Sequence, residues 1–446
     1  MGHRGKSMSV LSNWLRPLRS RLAASLTQRA QTWERSRPLW ANWCYRLAIA
    51  LLPTAARHRD YANLCVSLGL WDSAIVLYQR ATDCDPDDGE AWLKLAGLLD
   101  RQHGAEFALE SYLEAVRCNP TRQWFYHKKL WEVLEATEAL SRLADFFQTT
   151  LDRESERMRY RDRADIQLNL GEVLTRAGQI DAASAAFRAA TADRTIQHDR
   201  RFLAELHNPE GDRQPDFIII GAPKCGTTSL FYYLLQHPNV LPSLRKEIRF
   251  WSDCPHYGLE WYLSQLPPHP KDGHWLSGES SPAYFFTAET SVRIAASLPN
   301  VKLIALVRNP VDQVISRFYH AQRQGSKTRS LDAFVNDLLL DFSQNAEVPG
   351  VLTAGFYARH LRSWVNGFDR DRLLVLQSEN FFAEPDRALQ RTHDFLGLPH
   401  VPLNSYRAYN AGTYPATESR VRQQLADFFA PYNRELEELL DRQFGW

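Results

Sequence analysis

Apolar residues in the first half of the chain recur every three to four positions. After residue 216, short unbroken apolar runs alternate with helical stretches. The first pattern predicts amphipathic helices, the second strands buried on both faces. Leu130, Trp131, Leu134, Leu140, Leu143, Phe146 and Phe147 keep the helical period through an otherwise irregular stretch, 123–160. Phe217–Ile220, Val301–Val307 and Leu373–Gln377 read as strands, followed by helices Ser229–Gln236, Val311–Gln324 and Pro385–Phe395. Such alternation predicts an α/β domain with a central parallel sheet over 216–446. Asn208-Pro209, Gly211 and Pro215 are turn signals, so 199–215 is expected to be a linker.

From Ala55 the first half repeats itself every 34 residues: Ala74, Tyr78, Ala81 and Pro86 match Ala108, Tyr112, Ala115 and Pro120. Trp92 and Leu95 open the second copy, and Leu170, Gly171, Gly178, Ala183, Phe187 and Ala190 mark a later one. Small residues at helix contacts, aromatics between units and a terminating proline resemble the tetratricopeptide repeat. One such unit cannot bury its own apolar face, so an all-α solenoid is expected over 55–198, wide enough for four repeats. The resemblance implies a concave groove for a protein partner or polymer chain. Residues 1–54 form a basic helical leader in which Trp14, Leu15, Leu18, Leu22 and Leu26 alternate with Arg16, Arg19 and Arg21. Pro17 is expected to interrupt that helix. Two readings stand for the leader: a peripheral helix on an anionic membrane surface, or a cap on the following domain.

Composition narrows the function. The 446 residues carry 53 basic and 52 acidic side chains, without the polyelectrolyte signature of nucleic-acid binding. The charge is uneven: residues 1–60 hold eleven Arg/Lys against Glu34 and Asp60, +9 there and −8 over the remainder. The longest apolar run, Leu47–Pro53, falls far short of the ~20 residues of a membrane span. No secretory leader is expected either. Cys44, Cys65, Cys84, Cys118, Cys225 and Cys254 are scattered, without metal-ligand spacing, which predicts no metal and no disulfide framework. A reducing, cytoplasmic compartment is the expectation.

The chemistry concentrates in FIIIGAPKCGTTSL, Phe217–Leu230: strand, glycine turn, helix start. Such a turn aims backbone N–H groups and a positive helix end at an anion. It is not an ATPase loop of the Walker type, because Lys224 precedes Gly226 instead of following it. The P-K-x-G-T-T pattern resembles the 5′-phosphosulfate loop of sulfotransferases, which use 3′-phosphoadenosine 5′-phosphosulfate (PAPS). Arg308-Asn309-Pro310-Val311-Asp312 with Ser316 resembles that family's 3′-phosphate site. Arg245-Lys246-Glu247 with Phe250-Trp251 resembles the K-E-x-x-F-F/W segment of the heparan-sulfate-type branch. Gly278-Glu279-Ser280-Ser281-Pro282-Ala283-Tyr284-Phe285 resembles the segment lining that branch's acceptor cleft, and Gly412-Thr413-Tyr414-Pro415 its C-terminal PAPS loop. Two departures stand out: Ser280 where several relatives have lysine, and no cation beside Gly412.

The resemblance implies a PAPS-dependent sulfotransferase, needing no metal, that acts on a hydroxyl or amine of a carbohydrate or other bulky acceptor. Glu247 would be the general base and Lys224 would stabilise the leaving phosphate. Lys224, Cys225, Gly226, Thr227, Thr228, Arg308, Ser316, Gly412, Thr413 and Tyr414 would hold PAPS. His256 and His320 are the alternative bases, as in enzymes of small phenols and alcohols. From another class, the chain reads as a repeat scaffold whose sulfotransferase-like domain has lost activity. A nucleotide kinase is disfavoured by the absent Walker lysine.

Overall fold

A computed structural model describes residues 5–199, 213–269, 275–323, 330–344, 350–409 and 419–446. The chain divides into two compact units, Met1–Gln179 and Ile180–Trp446.

In the first unit, helices Gly5–Trp33 and Pro38–Leu51 pack as a hairpin. Pro17 lies inside the first helix and does not end it. One lost hydrogen bond is outweighed where Ala30 packs on Ala41, Cys44 and Tyr45 of the second helix and on Leu64 beyond. Helix pairs Ala55–Ser67 with Trp71–Cys84 and Gly89–His103 with Ala105–Cys118 follow. Ala74, Ala81, Ala108 and Ala115 are fully buried, so the helices approach closely. Tyr78 and Tyr112 fill the space between, the Tyr78 hydroxyl donating to Asn63 Oδ1 at 2.6 Å. Helices Lys128–Ala136, Leu140–Glu154 and Tyr160–Arg176 occupy the degenerate stretch and the start of the last copy.

Helix Ile180–His198, expected to close the solenoid, falls in the second unit. Its apolar residue Phe187 meets Trp261 edge-to-face at 5.7 Å. The Arg213 guanidinium donates to Thr191 Oγ1 at 3.0 Å and to the Leu266 carbonyl at 2.8 Å. A repeat-like sequence thus serves as a flank of the α/β unit.

The second unit is built on five parallel strands in the order β2-β3-β1-β4-β5: β1 Phe217–Gly221, β2 Val240–Pro242, β3 Leu276–Ser280, β4 Lys302–Val307 and β5 Leu373–Gln377. β1, β4 and β5 match the apolar runs, and their helices are Thr227–Leu234, Pro310–Arg323 and Pro385–Leu396. β2 and β3 lie outside the three strands expected from the sequence. β2 is only three residues long, and β3 reads Leu-Ser-Gly-Glu-Ser, without a β-branched residue. β3 is a strand because it lies between β2 and β1, and it needs Gly278 there. A Cβ at that position would sit 2.4 Å from the Phe217 carbonyl oxygen. Strand order reverses around β1, so the loop after it opens at the switch point where α/β sheets bind ligands. Helix Pro310–Arg323 is clamped from outside by Val421, Leu425 and Phe429 of helix Ser419–Leu440.

Candidate active site

The five buried residues of β1 deliver the chain into a tight loop, Ala222–Gly226, and straight into helix Thr227–Leu234. Three successive carbonyls of this loop are tied down by side chains from neighbouring strands' ends. Gln313 Nε2 donates to Pro223 O at 3.1 Å, Arg308 Nη1 to Lys224 O at 3.2 Å, and the Ser378 hydroxyl to Cys225 O. With the carbonyls engaged on that side, the unbonded N–H groups of the first helical turn are left for an anion. Lys224 itself takes the left-handed conformation, φ +70°. Gly226 caps the helix at φ +99°, and a Cβ there would come within 3.0 Å of the Phe382 ring. The close approach of Phe382 to the loop therefore depends on the absent side chain at Gly226.

Of the expected loop residues, Thr227 is buried and Thr228 half-buried, both in the first helical turn. The Cys225 N–H closes a turn onto the Ala222 carbonyl at 3.3 Å. Its thiol is wholly buried, 3.7 Å from the Tyr357 hydroxyl, and burial pushes its pKa up to about 12. Burial lowers the Lys224 pKa, and Arg323 and Arg317 lower it further. Glu247 acts in the opposite sense, which sets its carboxylate within electrostatic range of the lysine. Lysine beside two arginines is an arrangement that an anion would relieve.

Arg308 follows β4 directly, as expected, and bonds to the loop. Its own N–H points at the Tyr357 hydroxyl at 3.4 Å. Ser316 is buried in helix Pro310–Arg323, one turn beyond Gln313 and on the same face. The Asn309 N–H donates to Glu379 Oε1 at 2.8 Å, fixing the strand end. Gly412, Thr413 and Tyr414 lie outside the described residues. Among the described residues no cluster of three His, Cys, Asp or Glu side chains could hold a metal ion.

Glu247 lies on the loop after β2 and pairs with Lys246 Nζ at 2.8 Å, the lysine being largely buried. Burial, and then the nearby charges of Lys224 and Arg323, favour the neutral form of His320. His256 is exposed and packs on Tyr257 at 4.3 Å.

The segment expected to line an acceptor cleft lies deeper. Glu279, Ser280, Ser281, Tyr284 and Phe285 are all fully buried. β3 is an interior strand, between β2 and β1, and its end is covered by the loop after β2, whose N–H groups bond to Glu279, Ser281 and Tyr284. Among the described residues the buried Ser280 Oγ has no hydrogen-bond partner. Residues that sequence reasoning did not single out, Gln313, Tyr357, Ser378 and Glu379, do the work of shaping the loop. The signal for two of them was their place just past the end of β5.

A parallel sheet whose first strand opens into such a cradle, with an arginine at the next strand's end, defines the P-loop-like class that handles phosphate-bearing ligands. A family model described as "Sulfotransferase domain" matches residues 214–411, and one described as "Tetratricopeptide repeat" matches 55–98. The human heparan sulfate glucosamine 3-O-sulfotransferase 6 is 30% identical over 266 residues, 53% of this chain and 75% of that protein. The mouse heparan sulfate glucosamine 3-O-sulfotransferase 3A1 is 30% identical over 53% of this chain and 66% of its own length. A solved sulfotransferase from Alicyclobacillus acidocaldarius is 27% identical, covering 52% of this chain and 97% of that one, with a TM-score of 0.44. The chain belongs to the sulfotransferase family, its domain of the heparan-sulfate type preceded by tetratricopeptide repeats.

Proposed function

We propose that the protein transfers a sulfuryl group from PAPS to a hydroxyl or amine of a carbohydrate or other bulky acceptor. The observation that carries this reading is the cradle after β1, with Lys224 in the electrostatic field of Arg323, Arg317 and Glu247. The donor set suits a bisphosphorylated nucleotide: helix-terminal N–H groups and Lys224 for the 5′-phosphosulfate, Arg308 and Ser316 for the 3′-phosphate. When bound, PAPS supplies an activated sulfuryl group on a phosphate leaving group. Lys224 and the N–H groups of Gly226, Thr227 and Thr228 then take up charge that grows on the leaving oxygen. Glu247 accepts the acceptor's proton as its oxygen or nitrogen bonds to sulfur and the sulfur–phosphate oxygen bond breaks. Lys246 orients that carboxylate through its ion pair. The position of His320 near Lys224 favours one second reading, with the neutral imidazole as base.

The deciding experiment screens acceptors, heparan sulfate among them, with radiolabelled PAPS, then compares Glu247→Gln and His320→Gln. Glu247→Gln should leave adenosine 3′,5′-bisphosphate affinity unchanged and lower kcat about 10²-fold or more. Near-normal kcat in that variant, with loss in His320→Gln, would move the base to the histidine. No saturable bisphosphate binding at all would leave only a repeat scaffold.

The repeat unit belongs to the same proposal as a docking element for a partner or the acceptor chain. In support, it holds a cavity of about 450 Å³ lined by Asn63, Tyr78, Lys94, Tyr112, Arg122 and Lys129.

A further inference from the structure

Glu279, at the end of β3, is a fully buried carboxyl group that accepts three hydrogen bonds. Its Oε2 accepts the Ser281 hydroxyl at 2.5 Å and the Ile248 N–H at 3.3 Å, and its Oε1 accepts the Tyr284 hydroxyl at 2.8 Å. Both hydroxyl oxygens then receive a backbone N–H from the loop above: Arg249 onto Ser281 Oγ at 3.0 Å, Trp251 onto the Tyr284 oxygen at 3.4 Å. From the same segment the Ser280 N–H donates to the Lys246 carbonyl at 3.0 Å. The bonds land on residues 246, 248, 249 and 251, on both sides of Glu247 and none on its side chain.

The polarity of this arrangement has one source. A hydroxyl carries a single proton, and an ionised carboxylate, the state of Glu279 above about pH 7, only accepts. Because Ser281 and Tyr284 give their protons to Glu279, their oxygens are left to accept the loop N–H groups. Without an acceptor at 279 both hydroxyl protons would have to find other acceptors, and the two oxygens would no longer be held facing the loop N–H groups. The bracing also accounts for Arg249, a non-glycine residue held at φ +59°.

We propose that Glu279 is a positioning residue for Glu247: through Ser281, Tyr284 and the Ile248 N–H it frames the 246–251 loop and fixes where the base stands. The inference rests on Glu247 as the base. The groups facing Glu279 are Ser281 and Tyr284 from its own segment, Tyr262 from helix Leu259–Leu263, and the loop carrying Lys246, Glu247 and Arg249.

The test uses the full chain with Glu279→Ala, Glu279→Gln, Ser281→Ala and Tyr284→Phe. Amide hydrogen exchange should show lost protection at 246–251 in Glu279→Ala, unchanged protection at 222–228, and unchanged affinity for adenosine 3′,5′-bisphosphate. Glutamine, which keeps one accepting oxygen, should restore part of the protection. With PAPS and a heparan sulfate acceptor, Glu279→Ala should lower kcat about tenfold or more with little change in KM for PAPS. The same substitution should cost almost nothing further in a Glu247→Gln background. Unchanged exchange at 246–251, or equal losses in both backgrounds, would overturn the inference. A near-normal kcat for Glu247→Gln alone would instead overturn the assignment of the base, and exchange would still decide the frame. Should Glu279→Ala not fold, Ser281→Ala and Tyr284→Phe each remove one relay and carry the same comparison.

Discussion

Replacing Glu279 by glutamine should change how the stability of the sulfotransferase unit depends on pH. Burial pushes this carboxyl from 4.5 up to about 7, against the opposing pull of the bonds from Ser281, Tyr284 and Ile248. The folded state therefore holds a proton that the unfolded chain has released between those two values. Stability from this group is fully present below 4.5 and is lost as pH rises through about 7. At about 1.4 kcal/mol per pH unit, that interval corresponds to roughly 3 kcal/mol. Glutamine does not titrate, so the variant should lack this component while keeping a similar shape. The assay is chemical unfolding of both proteins at about pH 5 and about pH 8. The transition to follow is the one that adenosine 3′,5′-bisphosphate shifts, which isolates the sulfotransferase unit from the repeats. The variant should gain on the wild-type protein by about 2–3 kcal/mol between the two conditions. Parallel stability curves across the window would refute the reasoning, because they would mean that Glu279 titrates alike in both states.

Lys224→Ala should weaken bisphosphate binding and turnover together, by about 10- to 100-fold, since a charged hydrogen bond contributes roughly 1.5–3 kcal/mol. Arg308→Ala should fall mainly on KM for PAPS, because the 3′-phosphate is unchanged during transfer; an equal fall in kcat would contradict its assigned place. Gly226→Ala forces a side chain into φ +99° and against Phe382, so calorimetry should find bisphosphate binding lost in a chain whose circular dichroism is unchanged. Iodoacetamide at about pH 8 should spare Cys225, buried with its pKa near 12, and modify exposed Cys84, as read by peptide mass spectrometry.

Local chemistry accounts for what was legible in the residues alone. The 34-residue period and the buried runs that became β1, β4 and β5 are patterns along the chain itself. Periodicity reports which face is buried, and a glycine turn between strand and helix reports an anion cradle. Residues brought together from a distance were not legible in this way. Gln313, Arg308 and Ser378 converge on three carbonyls of one loop only because β1, β4 and β5 lie side by side. β3 lacks strand propensity and is made a strand by the two partners flanking it, which also turns Glu279 from an expected cleft residue into a buried acceptor. Helix Ile180–His198 carries the repeat pattern, yet its Phe187 packs on Trp261 within the α/β unit. An apolar face specifies that something must cover it, and only the tertiary structure decides what does, because burial is non-directional.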